Sequence, residues 1–198
     1  VTDGATITVL ARLQDVATRT TAWSERIVVR TDELFNVEDA IAERVVSALR
    51  LRLAAAEQDR LRRRYTSNSE AYVEYLHGRA ALAKYTPEST MAAVAAFDRA
   101  LERDTNYALA RAGLAMACAD MYLRFAAPNE VERWGERAET EARAALALDP
   151  DLAEAHLARA AVARKREFDW NATIAAGRRA LVLNPNLEQA RFFVAAAF

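Results

Sequence analysis

Three helix breaks recur along the chain with the same order of residue types. They read LERDTNYALA at 101–110, LALDPDLAEA at 146–155 and LVLNPNLEQA at 181–190. Their centres, Asp104-Thr105-Asn106, Asp149-Pro150-Asp151 and Asn184-Pro185-Asn186, are 45 and 35 residues apart. A repeat of that period points to stacked supersecondary units, each too small to bury its apolar face alone. Proline has no N–H and clashes with the preceding turn, so it ends a helix, while its fixed φ suits the start of the next. Asp151 and Asn186, just after the prolines, are expected to cap the new helices by accepting an orphan backbone N–H. The outcome is helix, sharp turn, helix.

Between the breaks the chain is rich in alanine and keeps a helical apolar period. In the last full unit Ala155, Ala158, Val162 and Ala163 share one face, and Ile174, Ala175, Ala180 and Leu181 continue as the stripe of the next helix. A hydrophobic fraction of 53% with 28% charged residues supports a buried core, and five Gly and four Pro suit long helices with short connections.

These units resemble the tetratricopeptide repeat, a 34-residue pair of antiparallel helices. The family's small-large-small-Pro pattern of the second helix corresponds to Ala93, Phe97, Ala100 and Thr105, then to Ala138, Ala142, Ala145 and Pro150. Its third copy is Thr173, Gly177, Ala180 and Pro185. The first-helix Leu-Gly pair and aromatic correspond to Leu114-Ala115 and Cys118, and then to Arg159-Ala160 and Ala163, so the large residues are mostly missing. Gly78, in YLHGRAALA, stands near the family's glycine. Two units are expected to carry insertions, KYTPES after Ala83 and YLRFAAPNEVERWGER after Met121, and the last ends after one helix.

The resemblance implies a concave groove lined by the first helix of each unit, which holds a protein or peptide. Its lining is expected to be Tyr72, Tyr75 and Arg79, then Leu109, Ala112 and Met116, then Glu154, Leu157 and Ala161. Family members that grip a chaperone's C-terminal carboxylates place Lys, Arg and Asn there. That cluster is missing, so an apolar segment or helix is the expected ligand. These same residues packing against the N-terminal part of the chain or a neighbouring copy is the alternative.

Residues 1–64 read differently. TITVLARLQ at 6–14 and TAWSERIVV at 21–29 alternate in polarity and form a predicted β-hairpin, with Ile7, Val9, Ala11 and Leu13 on one face. Asn36 is expected to cap a long helix whose stripe is Val37, Ile41, Val45, Leu49 and Leu53, with Arg60 to Arg64 crowding its end. ITVLARL, Trp23 and LFNVEDAIAERVVSAL at 34–49 resemble the latter part of the TolB-like amino-terminal domain of bacterial signalling proteins. The usual Thr-Gly turn is absent, Arg19 standing after Thr18, so the turn must differ. A two-stranded hairpin is marginal alone, and its free edge predicts a partner, a second copy of the chain being one candidate.

The expected architecture is therefore mainly α. A partial TolB-like segment, 1–64, precedes a helical-hairpin solenoid, 65–198. A first residue of Val predicts a piece of something longer, and nothing at the N-terminus resembles a signal peptide.

Little here suggests chemistry. There is no phosphate loop, H-E-x-x-H, C-x-x-C or G-x-S-x-G, so no catalytic residue, cofactor or metal site is expected. His77 and His156 lack a second ligand at helical spacing and read as packing or surface residues. Asp149 and Asp151 become Asn184 and Asn186 one unit later, which suits helix capping better than acid–base catalysis. The sequon Asn171-Ala172-Thr173 falls in a helix. A net charge of −1 gives no footprint for nucleic acid, and Leu61 to Arg64 reads as a solvated helix end. No apolar run would span a membrane. The lone Cys118 leaves the compartment open and slightly favours a reducing cytosol, and a membrane-tethered parent protein stays open too.

The resemblance to chains that carry a TolB-like domain followed by tetratricopeptide repeats implies an interaction or sensory module. Its upstream output domain would be an adenylate or guanylate cyclase, or alternatively a winged-helix regulator or a protein kinase. A structural dimerisation scaffold, paired through the hairpin, is the competing reading.

Overall fold

A computed structural model describes residues 6–14, 16, 18–30, 41 and 65–197. The chain divides into two compact units, Val1–Glu70 and Ala71–Phe198. Among the described residues it is mainly helical: seven α-helices packed as tetratricopeptide-like hairpins, plus one small antiparallel sheet.

In the first unit β1 (Thr6–Gln14) pairs with β2 (Thr21–Arg30), Leu13 facing Trp23 and Ala11 facing Glu25. Val9, Ala11 and Leu13 are half-buried while Thr8, Leu10 and Arg12 are exposed, as a period of two requires. The register slips beside Gln14, which faces Thr21 rather than Ala22. Arg19 takes the left-handed conformation at φ 57°, the one that glycine adopts without penalty. Its carbonyl is held by Gln14 Nε2 at 2.9 Å, and the Thr18 and Thr20 hydroxyls bond at 2.8 Å. The turn thus keeps a glycine-like geometry without glycine. The long helix expected after Asn36, with Val37, Val45, Leu49, Leu53 and Arg60 to Arg64, lies outside the described residues, save that Ile41 is helical.

The second unit contains α1 (Ser69–Leu82) from Ala71 onward, α2 (Pro87–Arg103), α3 (Ala108–Asp120), α4 (Val131–Leu148), α5 (Ala153–Val162), α6 (Trp170–Leu183) and α7 (Glu188–Ala195). Helices α1 and α2 are tied by Arg99 Nε donating to Glu74 Oε2 at 2.9 Å, which lowers the Glu74 pKa. Helices α3 and α4 form the next hairpin, α5 and α6 the third, and α7 packs on α6.

Much of the two expected insertions is helix. Pro87, Glu88 and Ser89 are the first turn of α2, fixed by a capping box. Ser89 N–H donates to Thr86 Oγ1 at 3.2 Å, and Thr86 N–H donates back to Ser89 Oγ at 3.0 Å. Val131 to Arg137 already belong to α4, and Met121–Phe125 prolongs α3 as a π-helical turn. A second π turn, Ala163–Glu167, prolongs α5. A π turn closes i to i+5, so it absorbs one residue more than an α turn. Beside these turns Lys165, in the middle of the second, ion-pairs with Asp120, the last residue of α3, both side chains nearly dry. Burial pushes the Lys165 pKa down in spite of Asp120 beside it.

The three breaks share one geometry, and it corrects the expected capping. Neither Asp151 nor Asn186 caps a helix; the N-cap positions are Tyr107, Leu152 and Leu187, none with a side-chain cap bond. The residue before the turn does the work instead. Asp149 N–H donates to Ala145 O at 3.0 Å, closing α4, while its Oδ1 accepts Asp151 N–H at 3.1 Å and its carbonyl accepts Leu152 N–H at 3.2 Å. Asp104 does the same with Asn106 and Tyr107, and Asn184 with Asn186 and Leu187. Only a short oxygen-bearing side chain can form such a turn with the N–H two residues on, which explains why Asp and Asn interchange. The carbonyl at the next position is then taken from the following helix. Arg111 Nη2 donates to Thr105 O at 2.9 Å, His156 Nε2 to Pro150 O at 2.7 Å, and Arg191 to Pro185 O.

The core follows the repeat pattern. Ala93, Phe97, Ala100, Ala138, Ala142, Ala145, Thr173, Gly177 and Ala180 are all buried. Pro150 and Pro185, expected with them as packing residues, are exposed and set the turn. The stripe through Ile174, Ala175 and Leu181 is also corrected. Ala175 is exposed and the other two are half-buried, because Thr173 and Gly177 occupy the helix crossing. A hydrophobicity count passes over both residue types. Thr173 is accommodated there because its hydroxyl donates to Asp169 O at 2.7 Å.

Candidate functional site: a cleft on the first-helix face

Phe97 is the residue from which the site is built. A Cβ added to Gly78 on α1 would stand 2.6 Å from its Cε1, and one on Gly113 of α3 would stand 2.6 Å from both Cε1 and Cζ. The ring is therefore wedged between two glycines of successive first helices. Tyr75 packs on it at 6.0 Å between centroids and on Tyr107 at 5.3 Å, in tilted arrangements favoured by aromatic quadrupoles.

Against this aromatic base lies a cleft of about 160 Å³. Helix α1 contributes Tyr75, Arg79 and Leu82, and α3 contributes Leu109, Ala112, Gly113 and Met116. Glu154 and Leu157 come from α5, and Leu187 and Gln189 from the start of the last helix. Seven of the nine positions expected to face a groove thus converge on one cleft: Tyr75, Arg79, Leu109, Ala112, Met116, Glu154 and Leu157.

The other two do not line it. Tyr72 stacks on Tyr75 at 6.3 Å beside the cleft. Ala161 is wholly buried, and this corrects its expected exposure: it is the repeat equivalent of Met116, but a methyl is too short to emerge from between the helices. Gln189 and Leu187 were legible by the 35-residue offset from Glu154 and Leu152 and were missed because the last unit has only one helix. Leu82 carried no signal, being one apolar residue near a helix end. Phe97, expected only in packing, serves both roles.

Other side chains singled out by sequence fall away from the cleft. His77 is exposed on α1, 3.8 Å from Glu74. His156 serves the break at Pro150. Cys118 is fully buried, and burial pushes its thiol up to about 12, so it is no thiolate at neutral pH. Among the described residues no three His, Cys, Asp or Glu side chains gather as a metal site, and no helix is long and apolar enough to cross a membrane. The lining offers apolar surface, one cation, one anion and an amide, which is equipment for binding.

No family model matches the chain. It is 32% identical over 110 residues to "Putative adenylate cyclase 3" of Rhizobium meliloti (strain 1021), a match that covers 56% of this chain. The chain spans only 19% of that protein's length. Among solved structures it is similar to the Arabidopsis OM64 TPR domain, with a TM-score of 0.49 and 20% identity over 64% of this chain and 93% of that one. It is also similar to the second TPR domain of human RPAP3, solved in complex with the HSP70 peptide SGPTIEEVD. There the TM-score is 0.46 and the identity 18%, over 64% of this chain and 97% of that one.

Proposed function

We propose that this chain is a non-catalytic protein-interaction module of a bacterial signalling protein, and that its cleft holds a segment of another protein. The observation that carries this reading is the convergence of four successive units on one mainly apolar cleft whose lining also includes Arg79, Glu154 and Gln189. The partial match to a protein described as an adenylate cyclase supports a further element, a cyclase output domain elsewhere in the full-length protein.

The test is a peptide array probed with the wild-type chain and with a Leu109→Glu/Met116→Lys variant, alongside light scattering. The reading expects sequence-selective capture that the variant loses while its oligomeric state stays the same. Capture by both proteins, or by neither, would overturn it. For the cyclase element, the full-length protein is assayed for nucleotide cyclisation; its absence there, or its presence in this chain alone, contradicts the proposal.

The scaffold reading keeps one specific support. Leu10 and Val28 are 76% and 56% exposed on the same face of the hairpin, offset by two register pairs. A Leu10→Lys/Val28→Lys variant that converts a dimer to a monomer would favour it.

A further inference from the structure

We infer that the cleft selects an extended peptide segment with one bulky apolar side chain, an acidic residue toward α1 and a basic residue toward α5. This rests on the reading of the cleft as a peptide site and adds the chemistry of its ligand.

Several charges of the second unit are paired between helices. Glu74 holds Arg99, Glu141 holds Arg111, Asp98 holds Arg137 and Glu132 holds Arg166. Arg79 and Glu154, both in the cleft lining, have no ion-pair partner among the described residues. Arg79 is exposed near the end of α1, its guanidinium 5.9 Å from the centre of the Tyr75 ring. Glu154 is half-buried in the first turn of α5. Helix α3 stands between them with the apolar side chains of Leu109 and Met116.

Size and span narrow the ligand. An apolar cavity of about 150 Å³ takes a benzene-sized group, so this cleft takes one aromatic or branched side chain. Packed helices lie about 8–10 Å apart, so two steps from α1 to α5 cover roughly 16–20 Å. An extended chain rises about 3.3 Å per residue and crosses that distance in five or six residues. A free amino acid, whose charges are separated by one Cα, cannot reach both ends.

Both charges also sit where the helix dipole favours their sign, a purely structural role that the experiment separates. Fluorescein-labelled Asp-Ser-Ser-Leu-Ser-Ser-Lys, the reversed Lys-Ser-Ser-Leu-Ser-Ser-Asp and an all-Ser peptide keeping the Leu are titrated by anisotropy. The titrations use the wild type, Arg79→Glu, Glu154→Arg and the double variant, with thermal melts of each. One charged order should bind about five- to tenfold more tightly than the other two peptides, the scale of two partly screened ion pairs. Each single variant should lose the preference, and the double variant should prefer the opposite order. Equal binding of all three peptides, lost only on Leu109→Glu, overturns the charge selection while leaving the peptide site standing. Binding of none by the folded wild type overturns both. Changed melting temperatures with an unchanged order preference leave only the dipole role and also overturn the inference.

Discussion

Lys165 and Asp120 form an ion pair inside the second unit, with side chains only 5% and 6% exposed, and so join the π-extended ends of α5 and α3. Desolvation opposes such a pair, so its contribution shows mainly when one partner is removed. Lys165→Met, which strands the Asp120 carboxylate, should cost about 3–5 kcal/mol by denaturant unfolding. The double change Lys165→Met/Asp120→Leu should recover most of that loss, because it leaves no unpaired charge. A double variant as unstable as the single would show that the pair is itself strongly favourable.

Phe97 has no room to give. Gly78→Ala and Gly113→Ala each place a methyl against a ring that is fully buried, so each should destabilise by about 1–3 kcal/mol, the usual range for overpacking. Phe97→Leu in either background should restore part of the loss, although it costs stability alone. Calorimetric melts of the wild type, the three single variants and the two double variants check the coupling. Additive effects would mean that ring and glycines are not in the contact described.

His156 should matter through the Pro150 carbonyl. His156→Ala removes a donor from a partly exposed acceptor and should cost about 0.5–1.5 kcal/mol. His156→Arg should be tolerated, since arginine does this work at the equivalent positions 111 and 191. Chemical denaturation of the three proteins decides it, and an Arg variant no better than Ala would sink the equivalence.

Cys118 gives an alkaline limit. Its folded value is raised from 9.0 to about 12, so between these the unfolded chain loses a proton that the folded chain retains. The contribution is fully present below pH 9 and is lost as pH rises toward 12, at up to about 1.4 kcal/mol per pH unit. Lys165 acts in the opposite sense. Its lowered value means the unfolded chain holds more protons just below 10.5, so its contribution improves as pH rises toward that value. Comparing the wild type with Cys118→Ala isolates the thiol: the variant should decline less between pH 9 and 11.

What the sequence made legible was whatever repeats. The hairpin bounds, the three breaks, the buried Ala93-Phe97-Ala100 series and most of the cleft follow from alternation or from a fixed offset. What stayed hidden depends on geometry at a single place. Asp149 rather than Asp151 closes the turn because the bond runs to the N–H two residues on, and a residue list does not say which of two aspartates supplies it. Lys165 stands at none of the repeated positions. Its burial follows from the π turn that rotates it inward, and nothing in ARKRE announces that turn. Ala161 followed the repeat offset and failed on side-chain length alone.

The wedge of Phe97 between Gly78 and Gly113 has a consequence for how this protein can diverge. The same ring spaces two units and forms the base of the cleft, so it cannot be altered for a new ligand without loosening the stack. Arg79, Glu154 and Gln189 carry no such double duty. Relatives that recognise different partners should therefore vary at those three positions while keeping the aromatic and its two glycines, a division between tunable rim and frozen base written into one side chain's neighbours.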